Sequence, residues 1–330
     1  RIICLVADGL GVGAAPDANA YQDEGSETLG HVALSVGGLI LPNLQKLGLG
    51  NLGVFKGIAP RAHPLALVSR LIEKSVGKDT TTGHWEIAGL VTHKPFTLFP
   101  EGFPKSLIDD FIREAEISGV LGNCPMSGTV IIEQLGEQHV GTHKPIVYTS
   151  GDSVFQIAAH EVHFGLERLY RICTVARRLT LPYQIGRVIA RPFVGETAAT
   201  FKRTENRRDY SIAPPLNLLD VLIKNAISVY SVGKIEDIFA HRGITRGNHA
   251  GNNPDSLKAT LSFFEESRGE KVFIFTNLVD FDMLYGHRRD PGGYARSMVE
   301  LDTFLPRILE KMTPEDCLIL TSDHGCDPTF

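Results

Sequence analysis

Four short stretches hold the side chains able to do metal or phosphate chemistry. They are Asp8, the run Asp79-Thr80-Thr81-Thr82-Gly83-His84, Asp282 with His287, and Asp323-His324. A hydroxyl at a helix start lies near that helix's unpaired N–H groups and the positive end of its dipole, a favourable place for phosphate. Asp79 or Thr80 would equally serve as a plain helix cap. Carboxylates and imidazoles gathered in one place are costly unless they bind cations. Mixed oxygen and nitrogen donors suit Mn²⁺ or Zn²⁺ better than Ca²⁺. Three carboxylates, two imidazoles and a hydroxyl are too many donors for one tetrahedral ion and point to a two-metal site. An Asp after a strand is, taken singly, an ordinary N-cap; the coincidence of three carries the reading.

Three elements must position these groups. Ile2 to Ala7, Lys271 to Thr276 and Cys317 to Thr321 are continuous apolar runs, each leading into one of the acids or histidines. Continuous rather than alternating apolarity predicts strands covered on both faces, as in a parallel sheet. Parallel strands would bring Asp8, Asp282, His287, Asp323 and His324 to one carboxyl-terminal edge, where open α/β sheets bind ligands. Gly9, Gly11 and Gly13 follow the first run, but their spacing and the preceding Asp do not fit a dinucleotide loop.

Around these elements, 27–50 reads as a helix and loop with a second short helix opening at 41–44, and 85–90 reads as a helix. Pro95, Pro100 and Pro104, interleaved with Phe96, Phe99 and Phe103, look like a linker out of a first domain. Beyond it come a helix (105–116), a Gly/Ser/Cys-rich turn (119–128), a strand (145–149) ending in Ser150-Gly151-Asp152-Ser153, an amphipathic helix (161–179) and a strand (187–190). A basic segment with Arg191, Lys202, Arg203, Arg207 and Arg208 follows. Pro214-Pro215 marks a second boundary, after which a βα rhythm resumes with helix 216–225, strand 226–232, a helix opening at Lys234 and helix 256–268. The last helix carries Tyr294, Met298, Leu301, Leu305, Ile308 and Met312 on one face.

With 330 residues, 43% of them hydrophobic and 22% charged, the chain has room for two domains of ordinary globular composition. A net charge of −5 without any Lys/Arg-rich run argues against non-specific nucleic-acid binding. Five scattered cysteines with no C-x-x-C pair suit a reducing, cytoplasmic setting better than a disulfide framework or a zinc-thiolate site. No apolar run approaches the roughly 20 residues of a membrane span, and no signal peptide is visible. The chain has no initiating Met and stops at Pro328-Thr329-Phe330, so it reads as trimmed or partial.

Asp8-Gly9, Asp79-Thr80-x-x-Gly83-His84, Asp282-x-x-x-x-His287 and Asp323-His324-Gly325 resemble the metal and nucleophile pattern of the alkaline phosphatase superfamily. In that pattern the nucleophile directly follows an Asp, which sets Thr80 above Thr81 and Thr82. Within the superfamily the chain is similar, over essentially all its residues, to the bacterial phosphopentomutase family. Gly13-Ala14-Ala15-Pro16-Asp17-Ala18, Gly83 to Gly89, Thr149 to Ala158, Arg187 to Phe193 and Gly286 to Asp290 carry that similarity. The family pattern continues past Phe330 into a Thr-Asp-His-Thr-Arg-Glu-His segment and has Trp where Phe330 stands.

The resemblance implies an α/β fold: an alkaline-phosphatase-like core with a mostly parallel sheet between helices (1–95 and 214–330), and an inserted α+β cap domain (96–213). It implies an isomerase that interconverts ribose or deoxyribose 1- and 5-phosphates through phospho-Thr80 and a 1,5-bisphosphate, with a sugar bisphosphate as activator. Two Mn²⁺ ions are expected. Asp8, Asp323, His324 and Thr80 would hold one, and Asp282 and His287 the other, whose third ligand, a histidine of the further segment, this chain lacks. Substrate contacts fall to Ser150, Asp152, Arg191, Arg203 and Lys234, with a monomer acting on small pentose phosphates and neither nucleic acid nor membrane as partner. A closed cap would keep water from phospho-Thr80. The same metal pattern would also serve a phosphatase or phosphodiesterase of the superfamily, or a catalytically impaired sugar-phosphate binder.

Overall fold

A computed structural model describes residues 1–330. The chain divides into two compact units, Arg1–Lys94 with Pro214–Phe330, and Pro95–Ala213. In chain order, the first stretch of the first unit contains β1 (Ile2–Ala7), α1 (Thr28–Ser35), α2 (Pro42–Leu47) and α3 (Thr80–Ile87). The second unit contains α4 (Lys105–Glu114), β2 (Leu121–Pro125), α5 (Gly128–Thr142), β3 (Ile146–Thr149), β4 (Val154–His160), α6 (Leu166–Thr180), β5 (Arg187–Val194), β6 (Lys202–Arg203) and β7 (Arg208–Ser211). The first unit resumes with α7 (Leu218–Lys224), β8 (Ser228–Val232), α8 (Ile235–Ile238), β9 (Arg246–Asn248), α9 (Asn253–Glu266), β10 (Val272–Leu278), α10 (Pro291–Leu309) and β11 (Cys317–Thr321).

The first unit is an α/β layer structure around a five-stranded sheet of order β11-β1-β10-β8-β9, every pair parallel. The apolar runs of β1 and β10 are buried almost throughout, as a sheet covered on both faces requires. Register does the rest: Ala7 pairs with Leu278 and Val6 with Thr321, so the segments after β1, β10 and β11 emerge at one edge. Tyr294, Met298, Leu301, Leu305 and Ile308 of α10 are buried on one helical face in the core of this unit. Pro306, inside α10, cannot bond to the Asp302 carbonyl four residues back. That carbonyl instead accepts from Asn43 Nδ2 (3.0 Å), while the buried Asp302 carboxylate accepts from Asn43 N and Leu44 N at the start of α2. A carboxylate at a helix N-terminus meets both the unpaired donors and the dipole.

The second unit is built on a mixed six-stranded sheet, β2-β3-β4-β5-β6 with β7 also paired to β5. Strand alternation separates its two faces. Val147, Phe155, Ile157, Val188 and Ala190 pack with Phe111 of α4 and Leu169 and Ile172 of α6. Ile146, Tyr148 and Ala158 pack with Ile131 and Ile132 of α5.

Several elements differ from the expectation: strand β2 lies within the stretch read as a turn, strands β4, β6, β7 and β9 have no counterpart in the sequence reading, and α10 ends before Met312. The helix read at 85–90 begins five residues earlier, at Thr80, because Asp79 takes the N-cap and accepts from Thr82 N (3.1 Å). Helix α5 has no counterpart in the sequence reading: its three glycines and two threonines hide an apolar pattern that only the sheet makes meaningful.

Candidate metal and phosphoryl-transfer site

Helix α3 delivers Thr80 to the sheet edge. Asp79 caps it through Thr82 N and also binds the Thr82 hydroxyl (2.7 Å), so Thr82 is consumed by the cap. Thr80, the first helical residue, donates from Oγ1 to Asp8 Oδ1 (3.2 Å) and lies 3.5 Å from His324 Nε2. Gly83 permits this approach, since a Cβ there would come within 2.2 Å of the Asp323 carbonyl oxygen. Trp85 anchors the same helix by donating Nε1–H to the Ile238 carbonyl (3.2 Å).

At the edge, Asp8, Asp282 and His324 offer ligand atoms that all lie within 4.8 Å of one another. Asp8 is fully buried, and Asp282 and Asp323 are each 6% exposed, too enclosed for water to stabilise their charge. Asp323 accepts from Gly9 N (3.1 Å) through Oδ1. Its Oδ2 lies 2.9 Å from His84 Nδ1 and 3.7 Å from His324 Nε2 without an aligned hydrogen bond, His84 Nδ1 being directed at the Thr80 carbonyl (2.8 Å). Asp282 Oδ1 is likewise buried without a hydrogen-bond partner; His287 Nε2 stands 3.4 Å away, on a side chain that is 70% exposed. Asn277 Nδ2 bridges Asp8 Oδ2 (3.0 Å) and His84 Nε2 (3.2 Å).

The electrostatics follow from burial and crowding. Burial alone would raise the Asp8 carboxyl, but His324, then His84 and Lys234, hold it well below the usual range. Asp282 has no such surplus of positive neighbours, and burial with the Asp8 charge pushes it up. Burial would lower His84 and His324, yet the Asp323 charge and Asp8 raise both. Burial and Glu86 push Glu73 up to about 7. Orphaned carboxylate oxygens among imidazole nitrogens are the donor set a divalent cation satisfies.

The remaining candidate residues divide between the units. Lys234, at the start of α8, lies near enough for its charge to help hold Asp8 low and to oppose the burial that raises Asp280. Ser150 follows β3 directly, and Asp152 is exposed, 3.8 Å from Arg187. Arg191 on β5 donates Nε–H to Gln156 Oε1 (3.0 Å), and burial together with Arg207 lowers it to about 10. Arg203 reaches the buried Tyr148 hydroxyl (3.4 Å). Sequence reasoning assigned no role to Asn277, Tyr148, Gln156 or Cys326. Only Cys326 carried a signal, standing two residues beyond His324.

The family model of the metalloenzyme superfamily matches residues 1–330. The chain therefore belongs to the metalloenzyme superfamily, and a divalent metal is implied for it. It is 53% identical over 330 residues to a phosphopentomutase of Anaeromyxobacter sp. (strain Fw109-5), covering all of this chain and 84% of that protein. It is 52% identical to the phosphopentomutases of Symbiobacterium thermophilum and Caldanaerobacter subterraneus subsp. tengcongensis, covering 84% and 83% of them. Within the superfamily the chain belongs to the phosphopentomutase family, and it is an enzyme of the isomerase class.

Proposed function

We propose that the chain interconverts the 1- and 5-phosphates of ribose or deoxyribose, with Thr80 as the residue that carries the phosphoryl group. The observation that supports this most directly is the Thr80 hydroxyl, held at a helix N-terminus 3.2 Å from Asp8 and 3.5 Å from His324. Phospho-Thr80 gives its phosphoryl group to the free hydroxyl of a pentose phosphate, forming a 1,5-bisphosphate. The sugar turns, the other phosphate returns to Thr80, and the phosphate count is unchanged. A sugar bisphosphate activator would first load Thr80.

The reading takes two Mn²⁺ ions, with Asp8, Asp323, His324 and Thr80 as ligands of one and Asp282 and His287 among the ligands of the other. Bound there, they would lower the hydroxyl's pKa and neutralise charge on an in-line transition state. Residues 96–213 serve as the substrate-contacting cap. Asp152 and Ser150 bind sugar hydroxyls, and Arg191, Arg203 and Lys234 bind phosphate by charge-assisted hydrogen bonds. Gln156 holds Arg191 by Nε alone, which leaves the guanidinium's outer N–H groups for an anion. The reading takes the chain to act in the cytoplasm, as a monomer, on small pentose phosphates; no helix is long and apolar enough to cross a membrane.

Incubation with ribose 1-phosphate, Mn²⁺ and a catalytic amount of sugar bisphosphate tests the reading. Ribose 5-phosphate should accumulate with little free phosphate. Release of inorganic phosphate as the main product would replace the mutase reading with a phosphatase.

A further inference from the structure

We propose that Gln156 and Tyr148 are positioning residues of the mutase reaction. They hold the guanidinium groups of Arg191 and Arg203 through neutral oxygens, so that both arginines keep their full charge for a substrate phosphate. The inference rests on the reading that these two arginines bind phosphate, and adds to it the residues that orient them and the reason those residues are uncharged.

The arginines of the second unit's sheet are of two kinds. Arg207 gives Asp209 two hydrogen bonds (2.6 Å each), and Arg187 lies 3.5 Å from Asp209 and 3.8 Å from Asp152, so a carboxylate answers each of them. Arg191 and Arg203 are answered by neutral groups. Arg191 donates Nε–H to Gln156 Oε1 (3.0 Å), and Arg203 donates from Nη2 to the Tyr148 hydroxyl (3.4 Å). Gln156 is 4% exposed and Tyr148 fully buried, so neither acceptor is a stray surface rotamer. The two stand opposite each other on β3 and β4, on one face of the sheet. Gly128, the first residue of α5, leaves them room, since a Cβ there would overlap both the Arg203 guanidinium and the Tyr148 hydroxyl. Burial raises the Tyr148 hydroxyl against the pull of Arg203 and Arg191, which keeps it a neutral phenol. Arg191, lowered to about 10 by burial and Arg207, remains a cation at neutral pH.

A carboxylate in either place would grip the guanidinium more strongly, often through two parallel bonds, but it would cancel the charge and occupy the N–H groups that a phosphate needs. An amide or phenol oxygen accepts a single bond, fixes the plane of the guanidinium and leaves its charge intact. Glutamate has the shape of glutamine, so at position 156 charge and geometry can be separated by one substitution.

Calorimetric titration with ribose 5-phosphate, alongside KM and kcat of the mutase reaction, tests this. Gln156→Glu keeps the shape and the acceptor. It should nevertheless weaken ribose 5-phosphate binding at least about tenfold and raise KM in step, with kcat within about threefold of wild type and no loss of melting temperature. Gln156→Leu loses the acceptor but adds no charge, and should cost less, about three- to fivefold; Tyr148→Phe should cost about as much through Arg203. Should the leucine variant fail to fold, the isosteric glutamate variant carries the test alone. A Gln156→Glu variant that binds ribose 5-phosphate as wild type does would overturn the proposal, because a purely structural glutamine is replaced by glutamate at no cost to the phosphate. If Arg191→Ala and Arg203→Ala both leave binding unchanged, the underlying phosphate reading fails instead. If they weaken it while the Gln156 and Tyr148 variants do not, that reading stands and the positioning role falls.

Discussion

The carboxyl edge of the parallel sheet in the first unit and the arginine-bearing region of the mixed sheet in the second are both rich in charge, but they balance it differently. At the edge, three carboxylates are sunk among two buried histidines, and Asp282 Oδ1, Asp323 Oδ2 and Asn277 Oδ1 have no hydrogen-bond partner. In the second unit, Asp209 takes two bonds from Arg207 (2.6 Å each) and lies 3.5 Å from Arg187, Gln156 braces Arg191, and Tyr148 receives Arg203. At the edge the histidines offset the carboxylates only in part, leaving carboxylate oxygens of Asp282 and Asp323 without a donor. The arginine region has its frame satisfied, with Arg191 held through Nε. A buried unpaired carboxylate costs on the order of several kcal/mol, so the first arrangement makes sense with cations present and the second with an anion.

The largest effect that could break this contrast is expected at Thr80. Thr80→Ala should lower phosphoryl transfer by at least about 10³-fold, as loss of a nucleophile does, while the far-ultraviolet circular dichroism stays native. Mass spectrometry of wild type should find phosphate on Thr80; phosphate on Thr81, or an active alanine variant, would move the chemistry elsewhere. Next comes the claim that the edge needs cations. Asp8→Asn should weaken Mn²⁺ binding by about 10²-fold, at the upper end of what even indirect partners contribute. Calorimetric titration reads this, and unchanged affinity would take Asp8 out of the ligand set.

How much was legible in the sequence depended on which physics placed the residue. Asp8, Asp282 and Asp323 could be grouped because each follows a continuous apolar run, and parallel register sends the ends of such runs to one edge. Tyr148, Gln156 and Arg191 meet by a different rule. Tyr148 pairs with Gln156, Gln156 pairs with Ile189, and Arg191 is two residues further along the same strand face. Nothing local in the sequence states those pairings. The start of α3 was legible only in part. Asp79 and Thr80 were both candidate caps, but three consecutive threonines weaken helix propensity and left the helical span at 85–90; the Asp79 cap and Trp85 anchored to Ile238 override that weakness.

A middling effect sharpens the other side of the contrast. Asp152 is exposed and its nearest cationic neighbour, Arg187, is 3.8 Å away, so it contributes little to folding. Asp152→Ala should therefore leave melting temperature and Mn²⁺ content unchanged. Its mutase rate should nevertheless fall by up to about 10²-fold, the cost of a substrate misplaced by roughly 1 Å. A wild-type rate would remove Asp152 from the sugar contacts.

The smallest expected effect lies in the second unit's own packing. His139, fully buried on α5, donates Nδ1–H to the Lys144 carbonyl (2.7 Å), and its Nε2 accepts the His160 backbone N–H (2.8 Å). That pairing requires the neutral ring, because a proton on Nε2 would face another donor. Burial lowers His139 to about 4 from its ordinary 6.5, and the nearby His160, His143 and His163 add to the shift against the opposing Lys144 carbonyl. With the folded value depressed, the unfolded chain binds more protons between these two values. Stability is therefore full above about 6.5 and is lost as pH falls towards 4. Between pH 7 and 5.5 the loss should be about 1 kcal/mol, since each unit below the unfolded value is worth ~1.4 kcal/mol. Hydrogen exchange of amides in α5 and β4 at the two pH values, corrected for intrinsic rates, reads this loss where it arises. His139→Gln should flatten the difference; protection that falls equally in wild type and variant would assign the pH sensitivity to other groups.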